Sequence, residues 1–449
     1  MSIIIDVDSY KLGQFAVYPE NTTGMFSYIE ARSKNVEIVP FGLQMWIQKM
    51  LSKPITKADI DYAEMLAVGH GDPFNRAGWE YILEKYNGYL PLTIRGIPEG
   101  TIVQSSTPIV TVECTDRKVW WLASYIETSL QRGIWYPTTI ASRDLAHYRQ
   151  LSWFYDHGSD NPAMLDFTLH SFGSRGVTSR ESAEIGGLAH LVYFTGSDDV
   201  IALKSARDYY DCPNASYSVV ATEHSVQCSY GKDNQEAYFN RIIDVYGKPG
   251  DIVSVVMDGY DIMREVDLLC TKFKDRIIAS GAKWVCRPDS GDMFTVVPQI
   301  LHKLDAAFGS TVNSKGKKVI NNVGVIQGDG IDSLTLGMLA QKVFDEGFAP
   351  ECCLFGSGGG LLQKVDRDTF KFAQKTSAIR VGVATGLRQD GPFGREEWID
   401  VVKDPVTDPG KKSKGGRLTA EGMVTFYENG SILVRDTLDV IRKRAKSNL

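Results

Sequence analysis

The residues best suited to chemistry lie where short apolar runs end. FGSGGG, Phe355 to Gly360, directly follows one such run. Glycines let a backbone approach phosphate closely and turn several N–H groups toward one oxyanion. No Gly-Lys-Ser/Thr follows and the GxGxxG spacing is absent, so the segment reads as a phosphate-binding turn of neither common kind. Lys364 and Arg367 just downstream can add cations. Three acid pairs occupy comparable turns: Asp258 and Asp261, Asp289 and Asp292, Asp329 and Asp332. A single Asp there is commonly an N-cap or turn former. Three such turns on one rim suit Mg²⁺ and ribose hydroxyls, with the first acid of each pair read as functional and the second as a cap. Arg287, beside Asp289, can clamp phosphate through two N–H groups. His224, with Glu223 adjacent, can position a substrate or exchange protons near neutral pH. His170 is similarly placed, and a turn or core role explains it equally well. The sequence has no HExxH, GxSxG or Cys/His pairing, against zinc-protease and acyl-transfer chemistry.

The elements that must carry these residues recur between residues 164 and 360. Runs around 164–176, 190–198, 217–225, 252–261, 283–292, 323–332 and 352–360 each pass from apolar to polar, and each is followed by a helical stretch. Continuous rather than alternating apolar runs predict parallel strands buried on both faces. Thr178 with Glu181, and Asp233 with Glu236, have capping-box spacing; Asp332 opens another helix, and Pro298 weakens the one after Asp292 or moves its start. Chemistry gathered at strand C-terminal ends predicts an irregular parallel β/α barrel of about seven βα units. A doubly wound open sheet is the alternative. Residues 89–114 alternate like an antiparallel sheet, residues 117–156 are helical and Trp-rich, and 423–434 form a hairpin candidate on Asn429-Gly430. The expected division is a barrel at 161–375 and a flanking, mixed or antiparallel β-rich domain from 1–160 with 376–449.

Composition excludes several classes. The chain has 449 residues, 43% hydrophobic and 23% charged, enough for a large core. Its formal charge of −6 argues against general capture of nucleic acid. No apolar run reaches the length of a membrane span, and the MSIII start lacks a basic leader. Seven scattered cysteines without a CxxC point to buried thiols in a reducing, cytoplasmic setting. The segment 403–417 reads as a solvated loop, although Lys411 and Arg417 would join an anion site if it covered the barrel mouth. From the residues alone, the chain is a barrel enzyme acting on a phosphorylated sugar with a divalent metal.

LHSFGSRG (169–176), ATEHS (221–225), RPDSGD (287–292), VIQGDG (325–330), FGSGGGLLQK (355–364) and KDPVTDP (403–409) together resemble the nicotinamide phosphoribosyltransferase family, in order, from DSYK (8–11) to GRL (416–418). The resemblance implies transfer of phosphoribose from 5-phosphoribosyl-1-pyrophosphate to nicotinamide in NAD salvage. It implies that Phe172 stacks on the pyridine ring, with Tyr10 of the partner subunit on the other face in a head-to-tail homodimer whose active sites lie at the subunit interface. Asp198 would accept from the carboxamide, and Arg175 would lie beside the ring and the product phosphate. His224 would be the catalytic histidine, phosphorylated by ATP and oriented by neighbouring acids including Asp258, with Glu223 and Asp289 in the same catalytic set. Arg287 and Asp289 would hold pyrophosphate, ribose and Mg²⁺, with Asp258, Gly328 and Asp329 nearby; Gly358, Gly359 and Arg367 would cradle the 5′-phosphate. Arg32, Lys403, Lys411 and Arg417 would grip pyrophosphate or ATP. Ser171, Ser174 and Gly259 depart from animal members, which with the short segment after Arg32 fits a bacterial or phage-type member. A nicotinate-specific relative and a phosphate-binding barrel isomerase or lyase remain the alternatives.

Overall fold

Seven short strands run parallel between residues 169 and 357: β1 (Leu169–Ser171), β2 (Gly196–Ser197), β3 (Val220–Ala221), β4 (Ile252–Val256), β5 (Lys283–Arg287), β6 (Val323–Gln327) and β7 (Cys353–Ser357). They belong to a computed structural model that describes residues 2–383, 395–408, 412–447 and 449. The hydrogen-bonded order is β2-β1-β7-β6-β5-β4-β3. Its two edges then meet. Gly196 bridges Tyr217 in parallel, the Ser197 N–H donates to the Tyr217 carbonyl at 3.1 Å, and the Tyr217 N–H donates to Thr195 at 2.8 Å. The sheet is therefore a closed ring in which every strand neighbours its predecessor and successor in the chain. A doubly wound sheet would reverse at a switch point, and none exists here.

The barrel strands follow the rule for two-sided burial with one exception, β3. Every residue of β6 is buried, and β4 is buried after its first residue. The run at 190–198, however, contributes only Gly196–Ser197 as strand; Leu191 to Phe194 are buried in the turn after helix Arg180–His190. In β3 both residues are exposed, and Ala221 lines the cavity described below.

Helix starts also differ from the spacing signals. Ser179, not Thr178, caps Arg180–His190 by accepting from the Ser182 N–H at 3.0 Å. Asn234 precedes Gln235–Tyr246, leaving Asp233 in a tight turn. A capping box needs extended backbone at the cap itself, which residue spacing cannot specify. The second acid of two pairs caps a helix, Asp261 accepting from Met263 and Arg264 and Asp292 from Phe294, while Asp332 accepts from Leu334 and Thr335 in the turn just before helix Thr335–Asp345, whose cap position is Leu334. Helix Met293–Phe308 starts at the Asp292 cap and runs through Pro298.

This barrel belongs to one of two compact units, formed by Arg143–Arg207 and Cys212–Lys364; the other comprises Met1–Ser142, Asp208–Asp211 and Val365–Asn448. The second unit is built on an antiparallel sheet ordered Arg395–Asp400, Ala373–Val383, Thr22–Glu30, Val110–Cys114, Leu92–Gly96, Val424–Glu428 and Ser431–Ile432. Strands from both chain ends thus interleave. The hairpin turns on Asn429 (φ 47°) and Gly430 (φ 92°), two positive-φ residues as a type I′ turn requires. No helix among the described residues is long and apolar enough to cross a membrane. Five of the seven cysteines are buried.

The core of the antiparallel unit centres on Trp79, fully buried and set edge-on to Trp121 (5.0 Å) and Tyr125 (5.1 Å) between ring centroids. Trp79→Ala removes the ring shared by both contacts and should destabilise the unit by about 3–5 kcal/mol, measured by chemical denaturation.

Candidate active site

The C-terminal ends of the barrel strands surround a cavity of about 1050 Å³. Phe172 enters it from the turn after β1, where its N–H donates to the Ser357 carbonyl at 2.9 Å. The ring lies over Gly356, where an added Cβ would come within 1.9 Å of it, so a side chain at 356 would displace the aromatic surface. Asp199, which the sequence reading did not single out, holds this turn. It is buried and accepts from Ser171 Oγ at 2.5 Å and from the Ser174 N–H at 3.0 Å, one on each side of Phe172. Burial raises its carboxyl above the usual range, with Ser171 opposing. Its neighbour Asp198 lines the cavity and accepts from Ser218 Oγ at 2.6 Å. The only local sign of Asp199 is its position in an Asp-Asp pair.

Across the rim, His224 opens the short helix His224–Ser229 directly after β3. Its Nε2 lies 2.9 Å from Asp258 Oδ1, and its Nδ1 lies 3.8 Å from Asp289 Oδ2. A carboxylate only accepts, so Nε2 carries the proton in this contact and Nδ1 is the nitrogen turned to Asp289. Asp258 is 3% exposed, and its second oxygen accepts from the Asp289 N–H at 3.1 Å. The three groups therefore lock one another. Glu223 lines the cavity and accepts from Ser225 Oγ. Arg287, at the end of β5, donates to the Thr222 carbonyl at 2.5 Å and also faces the cavity.

Arg175, Gly328, Asp329, Gly358, Gly359 and Lys364 also line this wall, whereas His224 and Asp258 sit beside it and are not among its lining residues. The three glycines are not equivalent. A Cβ at Gly359 would meet nothing closer than 3.9 Å, and at Gly358 nothing closer than 3.5 Å, whereas at Gly360 it would meet the Ile331 carbonyl at 2.6 Å. Gly360 is thus a packing requirement, and the other two leave room for a ligand.

Tyr10, Arg32, Arg367, Lys403 and Arg417 lie in the other unit and are not part of this cavity's lining. Tyr10 is 60% exposed. The Arg32 Nε donates to the Lys371 carbonyl at 3.2 Å, and Arg367 pairs with Asp368 at 3.3 Å. The Lys403 N–H donates to Ser413 Oγ at 2.8 Å. Arg417 is engaged by Glu113 at 2.6 Å and lies 4.9 Å from the Trp398 ring. Lys411 lies outside the described residues. Among the described residues no three His, Cys, Asp or Glu side chains converge as a metal cage. Each Asp258 oxygen accepts one hydrogen bond, while Asp289 and Asp329 present carboxylates on the wall of the kind that would hold Mg²⁺.

His170, the other candidate histidine, is buried and does not line the cavity; its Nε2 has no hydrogen-bond partner among the described residues. Burial lowers it to about 4, with Asp198 opposing. The unfolded chain takes up a proton near pH 6.5 while the folded one does not, so stability is complete above that pH and falls as pH drops toward 4. Replacing His170 with Asn should remove up to about 3 kcal/mol of this acid loss. Denaturant titrations of both proteins at pH 7 and pH 4.5 measure it, and parallel losses would contradict a neutral buried imidazole.

Residues 167–440 match the nicotinate phosphoribosyltransferase family, and residues 2–94 match the nicotinamide phosphoribosyltransferase N-terminal domain. The chain is 42% identical to a nicotinamide phosphoribosyltransferase of Xanthomonas campestris, with 99% of this chain and 98% of that protein covered. It is 31% identical to one of Acinetobacter baylyi, covering 99% and 97%. Among solved structures, human nicotinic acid phosphoribosyltransferase has a TM-score of 0.58 at 14% identity, covering 98% of this chain and 93% of that one. Nicotinate-nucleotide pyrophosphorylase from Pyrococcus furiosus has a TM-score of 0.58 at 15% identity, covering 99% and 95%. At these identities the solved structures establish the fold, and the sequence relatives establish the lineage over the whole length: the chain belongs to the nicotinamide phosphoribosyltransferase family.

Proposed function

We propose that the barrel cavity transfers the 5-phosphoribosyl group of phosphoribosyl pyrophosphate to nicotinamide, giving nicotinamide mononucleotide and pyrophosphate for NAD salvage. The supporting observation is that two unlike surfaces share one rim. Phe172 and Asp198 suit a flat, uncharged base bearing an N–H donor, while Arg175, Arg287, Gly358 and Gly359 suit anionic oxygens.

The C1–O bond to pyrophosphate breaks as the pyridine nitrogen forms the new C1–N bond, through an oxocarbenium-like centre. The ring nitrogen is a weak neutral nucleophile, so alignment matters more than proton removal. Stacking on Phe172 supplies orientation and about 1 kcal/mol beyond area burial. Asp198 has one oxygen engaged by Ser218, leaving the other for the carboxamide N–H. Arg287 offsets the charge that develops on departing pyrophosphate. Asp289 and Asp329 would hold Mg²⁺, which when bound would supply charge neutralisation at that leaving group. In the same reading ATP is an activating co-substrate. With its Nε2–H held by Asp258, His224 presents Nδ1 to the terminal phosphorus, and the P–N bond forms as the bond to ADP breaks. The enzyme acts as a homodimer, Tyr10 of the partner subunit closing the second face of the ring.

Nicotinate would set a carboxylate against Asp198, a like-charge contact in a confined site. Wild type should therefore prefer nicotinamide by about 100-fold in kcat/KM, and Asp198→Ser should shrink the ratio several-fold. Equal use of both bases by wild type would refute the base site. His224→Ala should abolish stimulation by ATP while leaving basal mononucleotide formation, followed by chromatography of the product; undiminished stimulation would remove His224 from that role.

A further inference from the structure

Behind the glycine turn, five side chains of the barrel unit form a polar chain that none of the roles above uses. Arg143, Asp144 and His147 lie on helix Glu127–Gly158. Asp144 is fully buried and accepts from two imidazoles, His147 Nδ1 at 2.9 Å and His190 Nδ1 at 2.7 Å. The His190 Nε2 faces the Gly196 carbonyl at 3.2 Å. Both His190 nitrogens thus face acceptors, which requires two protons and makes it a buried imidazolium paired with the Asp144 carboxylate. Their opposite shifts agree: His190 is raised and Asp144 lowered, each through the other and against burial.

At the other end, His147 Nε2 lies 2.9 Å from Ser333 Oγ, which also lies 2.7 Å from Arg143 Nη2. Guanidinium can only donate, so the Ser333 oxygen accepts from Arg143, and its own proton is free to point to His147. The half-buried Arg143 then donates to the carbonyls of Gly360 at 3.1 Å and Leu361 at 3.4 Å. One guanidinium therefore ties two cavity loops, the Asp332–Ser333 turn and the glycine turn. The two loops already touch, since Ser357 Oγ donates to the Ile331 carbonyl at 2.6 Å.

We propose that Arg143, aligned by the Ser333–His147–Asp144–His190 chain, is a positioning residue that holds the glycine turn in the shape that receives the sugar 5′-phosphate. It touches no substrate and acts through the backbone of Gly360 and Leu361. The proposal rests on the phosphoribosyl reading of the cavity.

Steady-state kinetics of Arg143→Ala, Arg143→Lys and Ser333→Ala test it. Arg143→Ala should raise KM for phosphoribosyl pyrophosphate about tenfold or more, with KM for nicotinamide and kcat changing less than about twofold. Arg143→Lys keeps the charge without the fork and should fall between, Ser333→Ala should shift the same constant by less, and added guanidinium ion should lower KM in Arg143→Ala. An unchanged phosphoribosyl pyrophosphate KM, or equal changes for both substrates, would overturn the proposal. If Arg143→Ala fails to fold, Ser333→Ala, which deletes one hydroxyl, decides on the same criterion. A wild type that makes no mononucleotide would instead overturn the function; titrating ribose 5-phosphate against wild type and Arg143→Lys then judges the clamp separately, and equal affinities would end it.

Discussion

Everything at the site depends on closing a ring of parallel strands through the backbone of a single residue. An open parallel sheet leaves a row of unsatisfied peptide groups at each edge. Here Tyr217 accepts from Ser197 and donates to Thr195, joining the two edges. Closure fixes the spacing of the seven strand ends, and through them the distance between the Phe172 turn, the His224 helix and the glycine turn. No side-chain contact could set that geometry if the edges were free to spread.

Within the ring, charge is sorted by where buried acids are compensated. Asp258 is shielded and satisfied by His224 and the Asp289 backbone, so it orients its neighbours rather than facing solvent. Asp199 does the corresponding work beneath Phe172, and Asp144 does it behind the glycine turn. Each of these three carboxylates fixes a loop, while Asp198, Asp289, Asp329, Arg175 and Arg287 are left on the wall.

The ordered motifs allowed most of the wall to be read in advance, because functional side chains at strand C-termini occupy fixed offsets from apolar runs. The support behind the wall was not readable. Asp144, His147 and His190 look like ordinary helix residues, and their pairing with Ser333 arises only when segments more than forty residues apart are packed together. Asp199 escaped for the same reason: its partners, Ser171 and Ser174, are separated from it by a helix.

Sequence alone determined the strand–helix alternation, Asp261 and Asp292 as caps, the Asn429-Gly430 hairpin and the chain's likeness to a phosphoribosyltransferase lineage. All of these are encoded locally, in periodicity, side-chain donors near the backbone and ordered motifs. Tertiary structure decided that the barrel closes, that the run at 190–198 yields only a two-residue strand, that β3 is exposed, and that Gly360 is packed while Gly358 and Gly359 are open. Those outcomes turn on which backbone groups and side chains meet across the fold, and that is settled only when every strand has found both of its neighbours.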